Sequence, residues 1–426
     1  MGRVQEEGSG LVHGFQLSTV TASRPTETST THETTDLDLA MKLHYLKAVY
    51  IYSAETARDL TVMHVKAPLF AVFEQIPWIT GRFRRHDSGR PYIKCNDCGT
   101  RFVESQCDLT VEEWLRVPDR SVDESLVYHQ PIGPELAFSP LIYIQMTRFK
   151  CGGLALGLGW AHVMGDPSSL SHFFNLWSRV FAGEKIDCPK ASNGEKGFQN
   201  PNLKGKNPDS IKRVDPVGDL WVAPNNKKMA TYSFNLTIKE IRSHFPANED
   251  VFEILCGIIW KCIANVRKGE SETVTITIIR SDSDGLKPRS VSNSQVISSV
   301  HVDFSVAEAN LEEIVKSIGE ATDERFGIDE IGESDDGVSD FIVYGAKLTF
   351  VDMTQVDFYE AKIKEKSPKS VYCNVHGIGD DGAVVVLPAA KEEERFVTVT
   401  LPEEEMEKVK WELKKCGLIT ALINGE

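Results

Sequence analysis

The length, charge and cysteine content of the chain limit what it can be. A chain of 426 residues exceeds the roughly 250 to 300 residues at which one hydrophobic core stops growing, so two domains are expected. A formal net charge of −15 argues against a nucleic-acid partner, because phosphate backbones are bound through Lys and Arg. Nine scattered cysteines, with no apolar stretch in the opening MGRVQEEG, predict a reducing, cytosol-facing compartment.

The apolar stretches of the sequence are too short to cross a bilayer. The longest charge-free apolar window, Cys151 to Gly165, is rich in glycine and falls short of the ~18 residues that a membrane-spanning helix needs. We therefore predict no membrane span, and this prediction leaves peripheral attachment to a membrane open.

The beginning of the chain reads as a leader without a core. The stretch TASRPTETSTTHETT is rich in Ser, Thr and Glu and has no apolar periodicity. We predict that residues 1–35 are largely flexible and that regular structure begins near Asp36.

Strand and helix patterns fill an expected N-terminal domain, residues 36–183. The segment TVMHVKAPLFAVFEQIP predicts an amphipathic helix, because its apolar residues recur at helical spacing. PYIKCNDCGTRFVE predicts two strands joined by a turn at Asn96 to Gly99. SPLIYIQMTRF and LALGLGW predict two further strands joined by the turn KCGG, and an apolar helical pattern follows in DPSSLSHFFNLWSRVF.

A second globular half is expected after a long connection. Residues 184–228 are rich in Lys, Asn, Gly and Pro, contain no clear element, and are predicted to cross between the halves. Residues 229–426 form the predicted C-terminal domain, with a long helix in EDVFEILCGIIWKCIANV, strands at TVTITII, KLTFVD, GAVVVLP and FVTVTL, and a charged final helix. The mixture of strands and helices in both halves predicts two α/β domains.

His162 stands where an apolar strand ends and a helix begins, which is where α/β proteins gather functional groups. An imidazole there could remove a proton from a hydroxyl or amine at neutral pH. The alternative is a buried histidine bonded to the backbone. The spacing to Asp166 decides nothing, because HETTD, from His32 to Asp36, has the same spacing.

Asp166 has a structural interpretation of its own. It precedes Pro167 and an amphipathic helical pattern, and Asp at the N-cap followed by Pro is typical of a helix start. We therefore interpret Asp166 as mainly architectural, with Arg280 as one further partner that it could hold.

Other motifs of catalysis or metal binding are weak or missing. Cys95 and Cys98 form a single C-x-x-C without a second pair at zinc spacing, so we predict that they flank a hairpin turn and that the protein holds no metal. The sequence has no phosphate-binding loop, dinucleotide fingerprint or hydrolase elbow.

The stretch QMTRFKCGGLALGLGWAHVMGD resembles the signature region of the plant BAHD acyl-CoA-dependent acyltransferases, and the resemblance extends over essentially the whole chain. It implies two chloramphenicol-acetyltransferase-like domains, each a mixed β-sheet flanked by helices. It also implies that His162 is the general base, that Asp166 is its structural partner, and that acyl-CoA enters a channel between the domains.

The chain departs from this family at two motifs. Pro167 stands where the family has Gly, and the second motif, D-F-G-W-G in the family, reads DFYEA from Asp357 to Ala361. If either replaced glycine had a positive φ, Tyr359 or Ala361 there would cost ~1 to 2 kcal/mol, which predicts a reshaped loop. The Tyr-Phe-Gly-Asn segment of active members is also missing, and NSQVISSVHVDF stands in its place.

These departures, with TDLDLAMKLHYLKAVY and FIVYGAKLTFVD, are similar to the eceriferum, or wax-deficient, subgroup of the family. The resemblance implies an accessory role in very-long-chain fatty acid elongation for cuticular wax, beside a 3-ketoacyl-CoA synthase at the cytosolic face of the endoplasmic reticulum. It implies acyl-CoA as substrate or ligand and no resident cofactor. The alternative is an O- or N-acyltransferase that uses His162 as general base.

Overall fold

Two large β-sheets, each covered by helices, organise the protein. The computed structural model describes residues 10–186, 210–245, 249–269, 272–281, 291–323 and 339–419. The strands are β1 (Val12–Val20), β2 (Thr31–Glu33), β3 (Tyr45–Tyr52), β4 (Arg82–Arg85), β5 (Pro91–Lys94), β6 (Thr100–Cys107), β7 (Ile142–Phe149), β8 (Leu154–Ala161), β9 (Lys212–Val214), β10 (Met229–Thr237), β11 (Thr275–Arg280), β12 (Val296–His301), β13 (Thr322–Asp323), β14 (Asp340–Ile342), β15 (Leu348–Asp352), β16 (Ser370–His376), β17 (Ala383–Pro388) and β18 (Glu394–Pro402). The helices are α1 (Asp36–Ala40), α2 (Ala54–Ala57), α3 (Val62–Gln75), α4 (Val111–Leu115), α5 (Pro167–Phe181), α6 (Ile238–His244), α7 (Val251–Val266), α8 (Leu311–Gly319) and α9 (Glu403–Lys415).

The first sheet has the strand order β1-β6-β7-β8-β3-β16, and the second has the order β10-β18-β17-β15-β11-β12-β13. Both sheets are mixed, because β6 runs parallel to β7 and β11 runs parallel to β15 while other neighbours are antiparallel. The predicted α/β class with two mixed sheets is therefore confirmed. None of the helices within the described ranges is long and apolar enough to span a bilayer.

The first sheet takes one strand from the C-terminal half of the chain. β16 pairs antiparallel with β3, with Tyr372 opposite Val49 and Asn374 opposite Lys47. The first sheet therefore draws on both the 36–183 and the 229–426 segments, and the two lobes are connected through a shared ladder of backbone hydrogen bonds.

Part of the predicted crossover, residues 187–209, lies outside the described residues. Within the remainder, β9 pairs antiparallel with β14, with Arg213 opposite Phe341. The prediction of no element between residues 184 and 228 is wrong at this point, because the strand is three residues long and obtains its partner from a segment more than 100 residues away.

The leader prediction is also wrong within residues 12–35. β1 forms the edge of the first sheet by pairing with β6, and β2 pairs with β5. The polar stretch between them is held by side-chain contacts: Thr26 donates hydrogen bonds from its backbone N–H and its hydroxyl to the Asp97 carboxylate, each at 2.7 Å. A segment rich in hydroxyl side chains has no apolar face to bury. Hydrogen bonds to acceptors far away in the sequence order this segment instead.

The predicted hairpin around Cys95 and Cys98 is wrong as well. β5 and β6 are both strands, but β5 pairs with β2 and β4 in a small sheet, whereas β6 pairs with β1 and β7 in the first large sheet. The segment between them therefore connects two sheets. Each of these strands pairs with other strands in its own sheet, so β5 and β6 do not pair with each other.

Helices α3 and α5 cover the first sheet, as their apolar spacing predicts. Val65, Leu69 and Phe73 of α3 are buried, and the Phe73 ring stacks on Phe173 of α5 with centroids 6.3 Å apart. Helix α7 is buried along most of its length and belongs to the core of the second sheet, together with the inner residues of α9. The end of β8 and the start of α5 belong to the first core, which also includes Ile279 and Val351 of the second sheet.

Candidate functional site

The candidate site lies at the end of β8, and the packing over this strand explains its glycines. A Cβ atom at Gly157 would lie 2.0 Å from the carbonyl oxygen of Leu126, because the backbone of Leu126 and Val127 passes directly over the strand. All residues of β8 are buried. Glycine is therefore required for close approach of two backbones, and the strand delivers His162 to a fixed place.

His162 begins a short 3-10 turn, and its backbone is held from several directions. Its N–H donates to the carbonyl of His44 at 3.1 Å. Its carbonyl accepts hydrogen bonds from the N–H of Gly165 at 3.0 Å and from the Asn293 side-chain amide at 2.9 Å. The same Asn293 amide nitrogen donates to the Asp38 carboxylate at 2.8 Å. Asn293 therefore ties the turn to α1 from the C-terminal half of the chain.

The imidazole of His162 faces a tyrosine from the other half of the protein. Its Nε2 lies 2.8 Å from the hydroxyl oxygen of Tyr344, and both side chains are 0% exposed. Burial lowers the pKa of His162 to about 4 and raises the pKa of Tyr344 well above its ordinary value. At neutral pH the pair is therefore an uncharged hydrogen bond between a ring nitrogen and a phenol.

Tyr344 is placed by a tight turn between β14 and β15. Gly345 has φ of +82°, and a Cβ atom there would lie 2.5 Å from the backbone nitrogen of Gly379. A residue with a side chain would be strained at this φ and would also clash. The glycine allows the turn to approach the neighbouring loop closely, and the preceding tyrosine enters the interior.

A second histidine, His44, also contacts the tyrosine. Its Nε2 accepts a hydrogen bond from the N–H of Val343 at 3.0 Å, so its proton is on Nδ1. Its ring meets that of Tyr344 edge to face, with centroids 5.0 Å apart. Burial, with a smaller contribution from nearby His162, lowers the pKa of His44 to about 3. Two neutral imidazoles therefore contact the Tyr344 side chain.

Asp166 caps α5, as the sequence predicts. Its Oδ1 accepts the N–H of Ser169 at 2.9 Å, and Pro167 is the first helical residue. Its Oδ2 accepts the N–H and the hydroxyl of Ser294, both at 3.0 Å. Burial raises the pKa of Asp166, and these hydrogen bonds oppose that shift. The carboxylate therefore joins the start of α5 to the loop before β12.

The predicted contact between Asp166 and Arg280 is wrong. Arg280 pairs with Glu253 at 3.0 Å and lies over the ring of Phe252. The physical reason is that Glu253 belongs to the first turn of α7, beside the end of β11, and supplies the nearer carboxylate. The oxygens of Asp166 already accept three hydrogen bonds, one from the N–H of Ser169 and two from Ser294.

The altered second motif includes a short 3-10 turn, Phe358–Glu360, which lies against the middle of α5. The Asp357 carbonyl accepts the side-chain amide of Asn175 at 3.0 Å. Ala361 has φ of −72°, and its carbonyl accepts the Tyr52 hydroxyl at 2.5 Å. Neither Tyr359 nor Ala361 has a positive φ. The loop therefore accommodates both replacements with ordinary backbone conformations.

A small cavity lies against Tyr344 and the start of α5. A cavity lined by Asp166, Gln295 and Tyr344, among others, has a volume of about 10 Å³. That is roughly the volume that one water molecule needs, whereas ligand pockets commonly have 300 to 1,000 Å³. Both amide atoms of Gln295 are buried without a hydrogen-bond partner among the described residues.

The structure brings two of the three predicted site residues together and adds others. His162 and Asp166 lie at the same junction, whereas Asp357 contacts α5 at Asn175, more than two turns from the helix start. Tyr344 and His44 were missed by sequence reasoning, although both lie in the stretches that resemble the eceriferum subgroup. No local pattern pairs them with His162.

The fold and the site define a two-lobed protein of the acyltransferase type, with the histidine of the family motif at the junction of the lobes. Residues 12–415 match the model of the Transferase family. The chain belongs to this family, the BAHD acyltransferases, and within it to the eceriferum group.

Similarity to individual proteins supports both the family and the eceriferum group within it. Protein ECERIFERUM 26-like of Arabidopsis thaliana is 77% identical over 99% of this chain and 100% of its own length. Protein ECERIFERUM 26 of the same plant is 68% identical over 98% and 100%, and Protein ECERIFERUM 2 is 37% identical over 96% and 99%. The crystal structure of vinorine synthase has the same fold, with a TM-score of 0.70 at 17% identity over 95% of this chain and 98% of that one.

Proposed function

We propose that this protein is an accessory factor of very-long-chain fatty acid elongation for cuticular wax, which acts with a 3-ketoacyl-CoA synthase to set product chain length. In this role it does not use the usual acyl-transfer chemistry. Similarity to the ECERIFERUM proteins supports the pathway. The enclosed pair of His162 and Tyr344 is the observation that carries the second part of the proposal.

A general base must come within about 2.6 to 3.2 Å of the proton that it removes. In this protein the Tyr344 hydroxyl holds that position at Nε2 of His162, and neither side chain is exposed. The lowered pKa of His162, about 4, also means a weak proton acceptor, since an ordinary imidazole has a pKa near 6.5. The Tyr344 hydroxyl at Nε2 and the lowered pKa together argue that His162 does not act as a base in this conformation.

The surroundings of the pair support the same proposal. The cavity of about 10 Å³ beside Tyr344 is far smaller than an acyl thioester. Asp166 is fully engaged as a helix cap and loop anchor. We infer that this junction serves to hold the two lobes in one arrangement, and that control of chain length depends on contact with the condensing enzyme.

The proposed location is the cytosolic face of the endoplasmic reticulum, with peripheral attachment. This location rests on kinship with the eceriferum group and on the proposed synthase partner. Acyl-CoA, or the growing acyl chain, is proposed as a ligand and not as a resident cofactor.

An acyltransferase remains the second candidate function, and one observation favours it. His162 directly follows β8 at the junction of the lobes, in a fold shared with vinorine synthase and with a coenzyme A complex of TRI101, the latter at a TM-score of 0.66 and 15% identity. This candidate predicts release of free coenzyme A from an acyl-CoA donor when a hydroxyl or amine acceptor is present.

The proposal is tested by expressing the full chain with a plant 3-ketoacyl-CoA synthase in a host that makes no wax. Fatty acid chain lengths are measured with the synthase alone, with this protein alone, and with both. We expect longer products only when both are present. A matched control replaces the synthase by a variant that lacks its active-site nucleophile, and no longer products should then appear.

Two results would contradict the proposal. Unchanged chain lengths with both proteins present and folded would remove the accessory role. Stoichiometric coenzyme A release by the purified chain with an acceptor, lost in His162→Gln but kept in the surface variant His301→Gln, would instead support the acyltransferase.

A further inference from the structure

Two thiols of the C-terminal half lie at contact distance between two helices. The Sγ atoms of Cys262, on α7, and Cys416, directly after α9, are 3.7 Å apart. A disulfide has a sulfur separation of about 2.05 Å, so these thiols are in contact but unbonded. The pair shares no described contact with His162 or Tyr344.

The two cysteines have different environments. Cys262 is buried, at 4% exposure, whereas Cys416 is only partly buried. A hydrogen bond from the Cys262 thiol lowers the pKa of Cys416, and that same bond, with burial, raises the pKa of Cys262. Cys416 is therefore the thiol that ionises first and attacks, because the thiolate is the reactive form.

The pair opens into a cavity on the surface of the second lobe. This cavity has a volume of about 290 Å³, and its lining includes Cys262, Cys416, Lys261, Lys415 and Glu412. Lys415 pairs with Glu412 at 3.6 Å, and Lys261 adds a second positive charge to this lining, so the local charge favours an anionic molecule. The volume is sufficient for part of a small peptide.

We propose that Cys262 and Cys416 form a thiol-modification site that reacts with a small anionic peptide disulfide of the glutathione class and closes to an internal disulfide. The Cys416 thiolate attacks one sulfur of the small disulfide, whose S–S bond breaks, and one small thiolate leaves and takes a proton from water. Cys262 then loses its proton to water and attacks the Cys416 sulfur. The mixed disulfide breaks and the second small thiolate leaves and is protonated.

The steps balance without another reactant. Two protein thiols are oxidised by two electrons in total, and one small disulfide is reduced to two thiols. Formation of the mixed disulfide also removes the Cys416 thiolate that accepts the hydrogen bond from Cys262. The hydrogen bond to Cys416 is the largest cause of the raised pKa of Cys262. When it is lost, Cys262 ionises more easily and can attack in the second step.

The bond would join α7 to the end of α9 across 154 positions of the chain. Crosslinks that close long loops restrict the unfolded chain strongly, so the oxidised protein should unfold at a higher temperature than the reduced one. The helices already contact each other, which means that little rearrangement is required.

The test uses the reduced full-length protein and oxidised glutathione at pH 7, followed by alkylation of free thiols and peptide mass mapping. We expect a peptide crosslink between Cys262 and Cys416, formed at least tenfold faster than mixed disulfide at the exposed Cys98. In Cys262→Ser, glutathione should remain on Cys416, whereas in Cys416→Ser the buried Cys262 should stay unmodified.

Three results would overturn the proposal. Reaction of Cys416 no faster than Cys98, absence of the crosslink in the folded wild-type protein, or no mixed disulfide on Cys416 in a folded Cys262→Ser variant would each contradict it. The wild-type map is decisive even if the serine variants fold poorly, and circular dichroism establishes that the wild-type sample is folded.

Discussion

The hydroxyl oxygen of Tyr344 lies 2.8 Å from Nε2 of His162, although the two residues are 182 positions apart in the chain. This contact joins the turn after β8 to the turn before β15, and both side chains are fully buried. The histidine that the family motif presents for proton transfer is therefore part of a neutral, interlobe hydrogen bond.

Tyr344→Phe should lower the free energy of unfolding by about 1 to 3 kcal/mol, because it leaves a buried ring nitrogen of His162 without its partner. The measurement is urea denaturation at pH 7. Tyr50→Phe is the matched control, since the Tyr50 hydroxyl is also buried and has the Ser171 hydroxyl nearby, but makes no hydrogen bond of normal geometry among the described residues. Equal losses in the two variants would contradict the assigned contact.

The pH dependence of stability should report the lowered pKa of His162. Because burial places this pKa at about 4 in the folded protein, below the ~6.5 of an unfolded chain, the unfolded state binds protons more readily between these values. The contribution is fully present above about pH 6.5 and is lost as the pH falls toward 4.

We expect His162 to account for a loss on the order of 2 kcal/mol between pH 6.5 and 4.5. The loss should be smaller by this amount in His162→Gln, as measured by urea denaturation at both pH values. His44→Gln should flatten the curve in the same direction, because burial also lowers its pKa. Parallel curves for wild type and both variants would show that neither imidazole is held neutral.

Asp166→Ala should cost about 2 to 3 kcal/mol of stability, because it removes the cap of α5 and leaves the N–H of Ser294 unpaired. The comparison is Asp250→Ala, which removes the cap of α7, where the Asp250 carboxylate accepts from Phe252 and Glu253. That control should cost only ~1 kcal/mol. If the two losses are the same, Asp166 is a helix cap without a further anchoring role.

Gly157→Ala should destabilise the protein by more than about 2 kcal/mol, because its Cβ would lie 2.0 Å from the Leu126 carbonyl oxygen and one backbone would have to shift. Gly10→Ala is the control, since no atom lies within 4 Å of the added Cβ. Both variants are compared by thermal unfolding. Similar melting temperatures for the two would contradict the close backbone approach over β8.

Local sequence patterns predicted much of the region around the site. The alternation of strand, turn and strand before His162 forms β7 and β8, and the Asp-Pro signal marks the start of α5. These features depend on residues close together in sequence. The placement of His162 at a strand end therefore followed from local information and from resemblance to the family.

Long-range pairing accounts for what the sequence did not predict. Tyr344 lies in a turn whose approach to His162 depends on β15 and on the close contact of Gly345 with Gly379, neither of which has a local signal. The same reason explains the missed edge strand β1 and the separation of β5 from β6. A strand's partner is set by the whole sheet, and periodicity along the chain does not identify it.

We propose that His162 supports the fold and does not remove a proton from an acceptor. The most direct measurement is the product chain length made by the proposed synthase partner in a wax-free host, with wild-type protein and with His162→Gln at equal folded abundance. We expect the variant to lengthen products to the same extent as wild type. Complete loss of the effect in a folded His162→Gln variant would contradict it.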